Sequence, residues 1–291
     1  MTAPHVPAPG RRREVGLAQL SLLETAPPEL VLIAAEAGFD FIGARVRHVT
    51  SAERPYDLQP GSPMLAETLA NVRSTGVRIV DIEFLLMDGG DQRDAWLRMF
   101  EAGQALGART MTVAGADPEP ARFADSLAQM TEDGRAFGIT PTLEPISYQH
   151  INSLGSAARA ARAAGAWVVV DTLHFRRFGG SLPELAGIAD LVPMLQLCDA
   201  PAGRPADREG LVHESRAARL APGEGGLDLA EIVAALPSST PVSVEAPSPA
   251  DVVRLGELGW ARHLRQAADA VLTQAQTLSP ILPAASNGAL A

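Results

Sequence analysis

Short apolar runs alternate along this chain with longer amphipathic, alanine-rich segments. Near-continuous apolar runs are typical of strands in a parallel sheet, because helices cover both faces of such a sheet. The segments between them carry apolar residues at the helical period. We therefore predict eight strands, at positions 15–20, 39–46, 77–84, 110–114, 140–144, 167–171, 194–197 and 242–245.

Glycine precedes five of these strands, at positions 38, 76, 107, 138 and 165. Glycine adopts the left-handed conformation that ends many helices, so the repeated unit is helix, glycine, strand. This alternation indicates an α/β fold. A doubly wound open sheet would share it, but the count of eight and the placement of the polar residues favour a single (β/α)8 TIM barrel.

The length of the chain suits one such barrel. It has 291 residues, and TIM barrels usually have about 250. We predict a barrel domain at 14–277, a flexible N-terminal extension at 1–13 and a flexible C-terminal tail at 278–291. Both ends are rich in proline and lack helical or strand periodicity.

Charge and composition narrow the range of partners. The formal net charge is -10, which opposes binding to a phosphate backbone and argues against a nucleic-acid partner. No run of about 18 apolar residues occurs, so we expect no membrane span. The single cysteine, Cys198, excludes an internal disulfide framework and fits a reducing cytoplasm.

The last four predicted strands each deliver one oxygen-bearing side chain at or near their ends: Glu144, Asp171, Gln196 and Glu245. The carboxyl ends of parallel barrel strands meet on one face, where active sites are built. Three carboxylates close together repel one another unless a cation lies between them. The sequence therefore predicts a divalent metal site with these four ligands. A helix cap or a loop-bracing ion pair is the alternative for any one of them.

Oxygen ligands favour Mn²⁺ or Mg²⁺ over Zn²⁺, which prefers histidine and cysteine; Co²⁺ and Zn²⁺ remain alternatives. Two positive charges on the metal would leave one net negative charge among three carboxylates, so one carboxylate could still act as a base. Open coordination positions could polarise a substrate carbonyl. His174 lies three residues after Asp171, where it either braces a loop or faces the substrate.

Further polar residues are expected near the mouth of the barrel. Arg45 and Arg47 alternate with a valine and so point to the same side, either inward as an anion-binding pair or outward against helices. Glu83 ends the third strand, where it could contact the substrate or pair with an arginine. Arg204 belongs to a cation-rich segment at 200–226 that could cover the site. Solvated surface charge is the alternative for each cation of that segment.

These strand-end motifs resemble those of the xylose-isomerase-like sugar isomerase/epimerase superfamily, which also includes inosose dehydratases, dehydroshikimate dehydratases and endonuclease IV. The resemblance covers about 15–274 and is most specific from the fifth strand onward. Glu144 with its following proline resembles the first metal ligand of the family. Asp171 and His174 resemble its Asp-x-x-His motif, whose aspartate binds metal and whose histidine contacts substrate. Glu245 resembles the last ligand.

The resemblance implies a catalytic role for Glu144 and Glu245, since the two glutamates of the related ketose epimerases move protons on either face of the substrate. Gln196 departs from the epimerases, which usually have histidine there, and is similar to some dehydratase branches. This departure strengthens the lyase interpretation and leaves the metal site intact. The chemistry of endonuclease IV is improbable, because it needs several zinc ions and many histidines, whereas this chain has six.

We therefore expect a metal-dependent isomerase or epimerase of carbohydrate metabolism that removes a proton beside a carbonyl and forms an enediolate. The substrate would be a small sugar or polyhydroxy keto compound. A dehydratase of the inosose or 3-dehydroshikimate type is the alternative, and a non-catalytic sugar-binding barrel is a second alternative. A homo-oligomer remains open, because dimers and tetramers are common among similar proteins.

Overall fold

The computed structural model describes residues 12–50 and 53–278. The predicted extension at 1–13 and tail at 278–291 lie almost wholly outside the described residues and remain predictions. Arg13, at the inner end of the predicted extension, donates a hydrogen bond to the carbonyl of Pro237 at 2.9 Å.

One parallel sheet forms the centre of the molecule. Its strands within the described residues are β1 Val15–Ala18, β2 Phe41–Arg45, β3 Arg78–Met87, β4 Thr110–Gly115, β5 Thr140–Glu144, β6 Trp167–Val168, β7 Val170–Asp171, β8 Leu195–Leu197 and β9 Val242–Val244. The order around the sheet is β6-β5-β4-β3-β2-β1-β9-β8-β7. β6 and β7 are the two halves of the predicted strand 167–171. The two ends of the sheet therefore meet at this strand, and the sheet forms a nearly closed barrel. The predicted single TIM barrel is confirmed.

Helices surround this barrel. They are α1 Pro27–Ala37, α2 Pro63–Thr75, α3 Arg93–Leu106, α4 Pro120–Arg135, α5 Leu154–Ala164, α6 Thr172–Arg177, α7 Leu182–Gly187, α8 Arg208–Ala217, α9 Leu229–Ala234, α10 Pro249–Leu255 and α11 Glu257–Ala275. Gly38, Gly76, Gly107 and Gly165 end α1, α2, α3 and α5 in the left-handed conformation, as predicted.

The first strand is shorter than predicted. It stops at Ala18 because residues 19–22 form a short 3-10 helix. Gln19, which is fully buried there, accepts a hydrogen bond from the backbone N–H of Arg45 at 2.7 Å and donates one to the carbonyl of Thr25 at 3.1 Å. The glutamine thus joins the end of β1 to the end of β2.

The inside of the barrel is apolar at its base and polar above. Phe41, Val169 and Met194 form a small apolar cluster separate from the main core between strands and helices. They come from opposite sides of the ring, so their contact crosses the lumen. Gly16 permits this packing, since a Cβ there would lie 2.0 Å from the Phe41 ring. The inward positions nearer the carboxyl ends of the strands are polar, and they build the site described next.

Candidate metal centre

Three carboxylates converge at the carboxyl end of the barrel. Glu144 ends β5, Asp171 ends β7, and Glu245 follows β9. One oxygen of each lies within 4.8 Å of the others, and all three side chains are buried. Because adjacent parallel strands bring their ends to one level, residues far apart in sequence become neighbours here. The structure thus gathers the three acidic residues that were predicted as ligands.

Gln196 completes the set with an amide. It lies on β8 beside Asp171, and its Nε2 donates to Glu245 Oε1 at 3.0 Å. This bond orients the amide, and Gln196 Oε1 is then a buried acceptor with no hydrogen-bond partner among the described residues. Such an unsatisfied oxygen is unfavourable unless something binds it. A hard divalent cation would satisfy it, so the donor atoms present fit the predicted metal.

The spacing between Asp171 and His174 has a local cause. Asp171 is the N-cap of α6, and its Oδ1 accepts from the backbone N–H of His174 at 3.0 Å. The imidazole of His174 is buried, with Nδ1 at 3.1 Å from Ser147 Oγ and Nε2 at 3.3 Å from Ser215 Oγ. Nε2 also lies 3.8 Å from Glu144 Oε1. Burial lowers the pKa of His174 to about 4, so the ring is neutral at pH 7.

Arg219 is the cation of this cluster. The sequence placed it only among the loop cations of segment 200–226, with no feature that distinguished it from the others. Its Nη1 lies 2.5 Å from Asp171 Oδ2 and 3.2 Å from Glu245 Oε2. The side chain is 1% exposed, and its Nε donates to the carbonyl of Ser215 at 2.7 Å. The guanidinium therefore lies among the predicted ligands as a built part of the site.

Asp199 holds the loop that carries this arginine. Its Oδ2 accepts from the backbone N–H of Gly223 at 3.0 Å, and its Oδ1 accepts from that of Leu227 at 3.1 Å. A Cβ on Gly225 would lie 2.4 Å from Asp199 Oδ1, so the turn at 222–225 needs glycine there. Within the turn, the N–H of Gly223 donates to Asp199, and the N–H of Glu224 donates to the carbonyl of Ala221 at 3.0 Å.

The acidic residues differ in protonation. Burial, together with repulsion from Glu245 and Asp171, raises the pKa of Glu144 well above its usual range. Burial likewise raises the pKa of Glu245 to about 8. Burial acts in the same direction on Asp171, but attraction to Arg219 outweighs it and lowers the pKa of that carboxyl. In the cation-free site the aspartate is thus the carboxyl that ionises most readily, whereas both glutamates keep their protons to a higher pH than usual.

A second polar group lies across the mouth. Arg45 and Glu83 are buried, and Arg45 Nε lies 3.6 Å from Glu83 Oε1. Neither of these two atoms has a hydrogen-bond partner among the described residues. The charge of Glu83 contributes to the raised pKa values of Glu144 and Glu245, so it faces the same space. Arg45 therefore lies inside the barrel, which is the inward one of the two predicted orientations.

Arg47 and Arg204 are placed differently. Arg47 follows the end of β2 and is half-buried. Arg204 is exposed and donates from Nε to the carbonyl of Arg177 at 3.0 Å, which fastens segment 200–226 to α6. Arg177 in turn forms a buried ion pair with Glu214 of α8 at 2.7 Å. Contact of Arg47 or Arg204 with a substrate stays a prediction.

A sequence model described as "xylose isomerase-like TIM barrel" matches residues 31–270 of this chain. The chain belongs to the xylose isomerase-like TIM barrel family. The match covers the three converging carboxylates, Gln196 and Arg219, so the whole candidate site lies within the family domain. No curated protein matches the chain.

Solved structures of family barrels share the fold. The IolI protein with a bound zinc atom has a TM-score of 0.75 at 16% identity, over 91% of this chain and 100% of that one. The probable 3-DHS dehydratase AsbF from Bacillus anthracis has a TM-score of 0.71 at 12% identity, over 88% and 98%. D-allulose 3-epimerase from Methylomonas sp., in complex with D-allulose, has a TM-score of 0.66 at 14% identity, over 94% and 99%. At these identities the likeness shows the fold alone.

Within residues 12–50 and 53–278, no helix is both long enough and apolar enough to cross a membrane.

Proposed function

We propose that this protein is a divalent-metal-dependent dehydratase of a polyhydroxy keto compound, which removes a proton beside a carbonyl and expels a neighbouring hydroxyl as water. The observation that carries the proposal is the presence of both His174 and Arg219 inside the acidic cluster. A lyase needs an acid or a cation near the leaving hydroxyl, whereas an isomerase needs only groups that move protons between carbons. AsbF, a probable 3-DHS dehydratase, has the same fold.

The four residues Glu144, Asp171, Gln196 and Glu245 would hold the metal. Their donors are all oxygen atoms, so we propose Mn²⁺ or Mg²⁺ as the ion. When bound, such an ion polarises the substrate carbonyl and stabilises the negative charge that develops on its oxygen. The IolI structure, which has the same fold, contains a bound zinc atom, and this supports a metal in a barrel of this kind.

The side chains of the site suggest a route for the proton. Glu144 accepts the proton from the carbon, and the electrons of that C–H bond form the new double bond as the C–O bond breaks. The departing hydroxyl becomes water when His174 transfers a proton to it. His174 then takes up the proton that Glu144 removed from the carbon, since Glu144 Oε1 lies 3.8 Å from His174 Nε2. The neutral ring of His174 suits this relay, because it has a lone pair to accept a proton and an N–H to donate.

Arg45 and Glu83 are proposed to bind the remaining hydroxyl groups of the substrate. Their unpartnered Nε and Oε1 atoms offer one donor and one acceptor 3.6 Å apart, a pairing that a hydroxyl group satisfies because it both accepts and donates. Arg47 and Arg204 remain proposed as outer contacts of the substrate.

Isomerisation or epimerisation is the second candidate. It is favoured by the position of Glu144 and Glu245, two carboxylates that converge on one space and could exchange protons with a substrate held there. One glutamate would remove the proton and the other would return it to a different carbon or to the opposite face. The D-allulose 3-epimerase on the same fold supports this reading.

Proton NMR in D₂O with the Mg²⁺-loaded protein tests both candidates. The panel would contain ketohexoses, an inosose, hydroxypyruvate and 3-dehydroshikimate. We expect olefinic or aromatic signals from one of them, abolished by a chelator and by Glu245→Gln. Deuterium exchange with a rearranged sugar would select the isomerase or epimerase instead.

The variant His174→Asn separates the two steps. For a dehydratase it should leave deuterium exchange beside the carbonyl within about tenfold of wild type while elimination falls by about 100-fold or more. Equal loss of exchange and elimination would contradict the relay role of His174. No exchange and no new product from any compound, with metal bound, would favour a non-catalytic sugar-binding barrel.

A further inference from the structure

The charges at the candidate metal centre are unusual because one of them is positive. Glu144, Asp171 and Glu245 contribute three carboxylates, and Arg219 contributes a guanidinium that contacts two of them. With all three carboxylates ionised, the protein would carry two net negative charges at the site. A divalent cation would neutralise them, which differs from the single leftover negative charge expected without the arginine.

Hydrogen bonds hold the side chain of Arg219 in place, so its positive charge stays at the site. Besides the two carboxylates, its Nη1 donates to the backbone carbonyl of Glu245 at 3.1 Å, and its Nε donates to the carbonyl of Ser215 at 2.7 Å. The next residue, Leu220, forms an isolated antiparallel bridge with Asp199, and the N–H of Gly223 donates to Asp199 Oδ2 at 3.0 Å. The guanidinium is fully buried, so water screens its charge weakly.

We propose that Arg219 is the residue that sets the charge selectivity of the metal site, matching it to a divalent ion and disfavouring a trivalent ion. This inference rests on the proposed function to the extent that the site binds a cation. Ligand charge is known to tune affinity in oxygen-ligated sites. Without Arg219 the three carboxylates would match three positive charges, so the preference should move toward a trivalent ion.

The experiment compares Ca²⁺ with Tb³⁺, two oxygen-seeking ions of similar size, so the difference between them isolates charge. Tb³⁺ binding would be followed by its luminescence, and Ca²⁺ binding by displacement of Tb³⁺. Arg219→Gln should raise the ratio of Tb³⁺ to Ca²⁺ affinity by about tenfold or more, because one additional unit of charge a few Å away acts in a buried site.

Two matched variants control for other causes. Arg219→Lys retains a positive charge on a shorter side chain, and Arg216→Gln removes the same charge from an exposed position on α8, three residues away. Both should leave the affinity ratio within about threefold of wild type. Arg219→Lys keeps the positive charge at the site, and the charge removed by Arg216→Gln is screened because it is exposed to water. Circular dichroism would confirm that each variant is folded.

A further pair covers the case in which Arg219→Gln alone does not fold. Glu245→Gln removes one negative charge and should lower the ratio of Tb³⁺ to Ca²⁺ affinity. Adding Arg219→Gln to it removes both members of a buried ion pair, which is better tolerated than removing one, and should return the ratio to that of wild type.

The outcomes separate the two proposals. If wild type binds neither Ca²⁺, Mn²⁺ nor Tb³⁺, the metal-dependent function is wrong. If wild type binds these ions but Arg219→Gln changes both affinities by one common factor, or not at all, the arginine has only a structural role and the charge-matching inference is overturned. The same conclusion follows if the double variant binds with the ratio of Glu245→Gln alone.

Discussion

Two aspartates inside this barrel are equally buried, but their pKa values are shifted in opposite directions. Asp81 on β3 accepts hydrogen bonds from Thr110 Oγ1 at 2.6 Å and Thr112 Oγ1 at 2.9 Å, and burial raises its pKa to about 7. Asp171 on β7 is bonded to Arg219, and its pKa is lowered although burial opposes ionisation. Both side chains are at most 2% exposed.

The comparison shows that the short contact with Arg219 keeps Asp171 ionised. Glu245, at 3.2 Å from the same guanidinium, and Asp81, bonded to hydroxyl groups, both have raised pKa values. Hydroxyl groups orient dipoles toward Asp81 but supply no net charge, so the cost of removing that carboxylate from water is only partly offset. The guanidinium of Arg219 supplies a full charge at contact distance. The chain thus keeps a permanent negative charge at the candidate metal centre and an easily protonated carboxyl below it.

The strongest way to break the comparison is to neutralise the paired aspartate. Asp171→Asn removes a proposed ligand and leaves Arg219 with part of its charge uncompensated in a buried site. We expect at least about a 100-fold loss of Mn²⁺ affinity and a loss of about 3–5 kcal/mol in the free energy of unfolding. Calorimetric titration and urea denaturation measure the two effects. Wild-type stability in this variant would show that the ion pair is dispensable.

The dependence of stability on pH should reveal the carboxyl groups whose pKa values are raised. In protein treated with a chelator, the pKa values of Glu144, Glu245 and Asp81 are raised above those of the unfolded chain. Their contribution to stability is complete below about pH 4 and is lost as pH rises through 7 to 8 and beyond. The free energy of unfolding should therefore fall between pH 5 and 9, by at most about 1.4 kcal/mol per pH unit for each group.

Saturating Mg²⁺ should flatten most of this fall, because bound glutamates are ionised at every pH of the range. The contribution of Asp81, which is not a proposed ligand, should persist. Below about pH 6.5 the lowered pKa of His174 opposes it, because that group makes stability rise with pH. Urea denaturation at pH 5, 7 and 9, with and without Mg²⁺, provides the comparison. Stability that rises with pH in the chelated protein would contradict the protonation pattern inferred for the site.

Binding of a cation should also release protons. In the cation-free site both glutamates lose their protons at a higher pH than usual, and a bound divalent ion requires them ionised. We expect protons to be released as Mn²⁺ binds at pH 7, with affinity that increases as pH rises. Calorimetric titrations in buffers of different ionisation enthalpy measure the number of protons released. Release of no proton would mean that both glutamates are already ionised without the metal.

The smallest effect is expected at the unpaired aspartate. Asp81→Asn keeps the shape of the side chain, and Thr112 can rotate its hydroxyl to accept from the new amide. At pH 7 the loss of stability should be about 1 kcal/mol or less, with unchanged Mn²⁺ affinity. A loss as large as that of Asp171→Asn would mean that hydroxyl-bonded and arginine-bonded carboxylates are equivalent, which would refute the comparison.

Much of the architecture could be predicted from local patterns. Hydrophobic periodicity identified each strand region of the barrel, and the glycines before strands mark helix ends because only the local backbone conformation is at issue there. The strand 15–20 was predicted too long, since the turn at 19–22 depends on contacts of Gln19 with residues of another strand. The interruption at Val169 likewise follows from how the ring closes.

The candidate site could likewise be predicted only in part. Glu144, Asp171, Gln196 and Glu245 could be singled out from sequence because each stands at the end of an apolar run, and strand ends in a parallel barrel meet at one face. Arg204 was proposed from the segment 200–226, which also contains Arg219, because no local sequence feature distinguishes the two arginines. Their roles as ligands and substrate contacts remain proposals.

The sequence by itself determined which side chains stand at the strand ends, since alternation and turn signals act over a few residues. Only the tertiary structure decided that Arg219 reaches Asp171 and Glu245, that Gln196 Oε1 is left without a partner among the described residues, and that Arg45 faces inward. These features depend on distances between segments remote in the chain. The electrostatic energies at the site vary with such distances and with burial, and a local sequence pattern specifies neither the distances nor the burial.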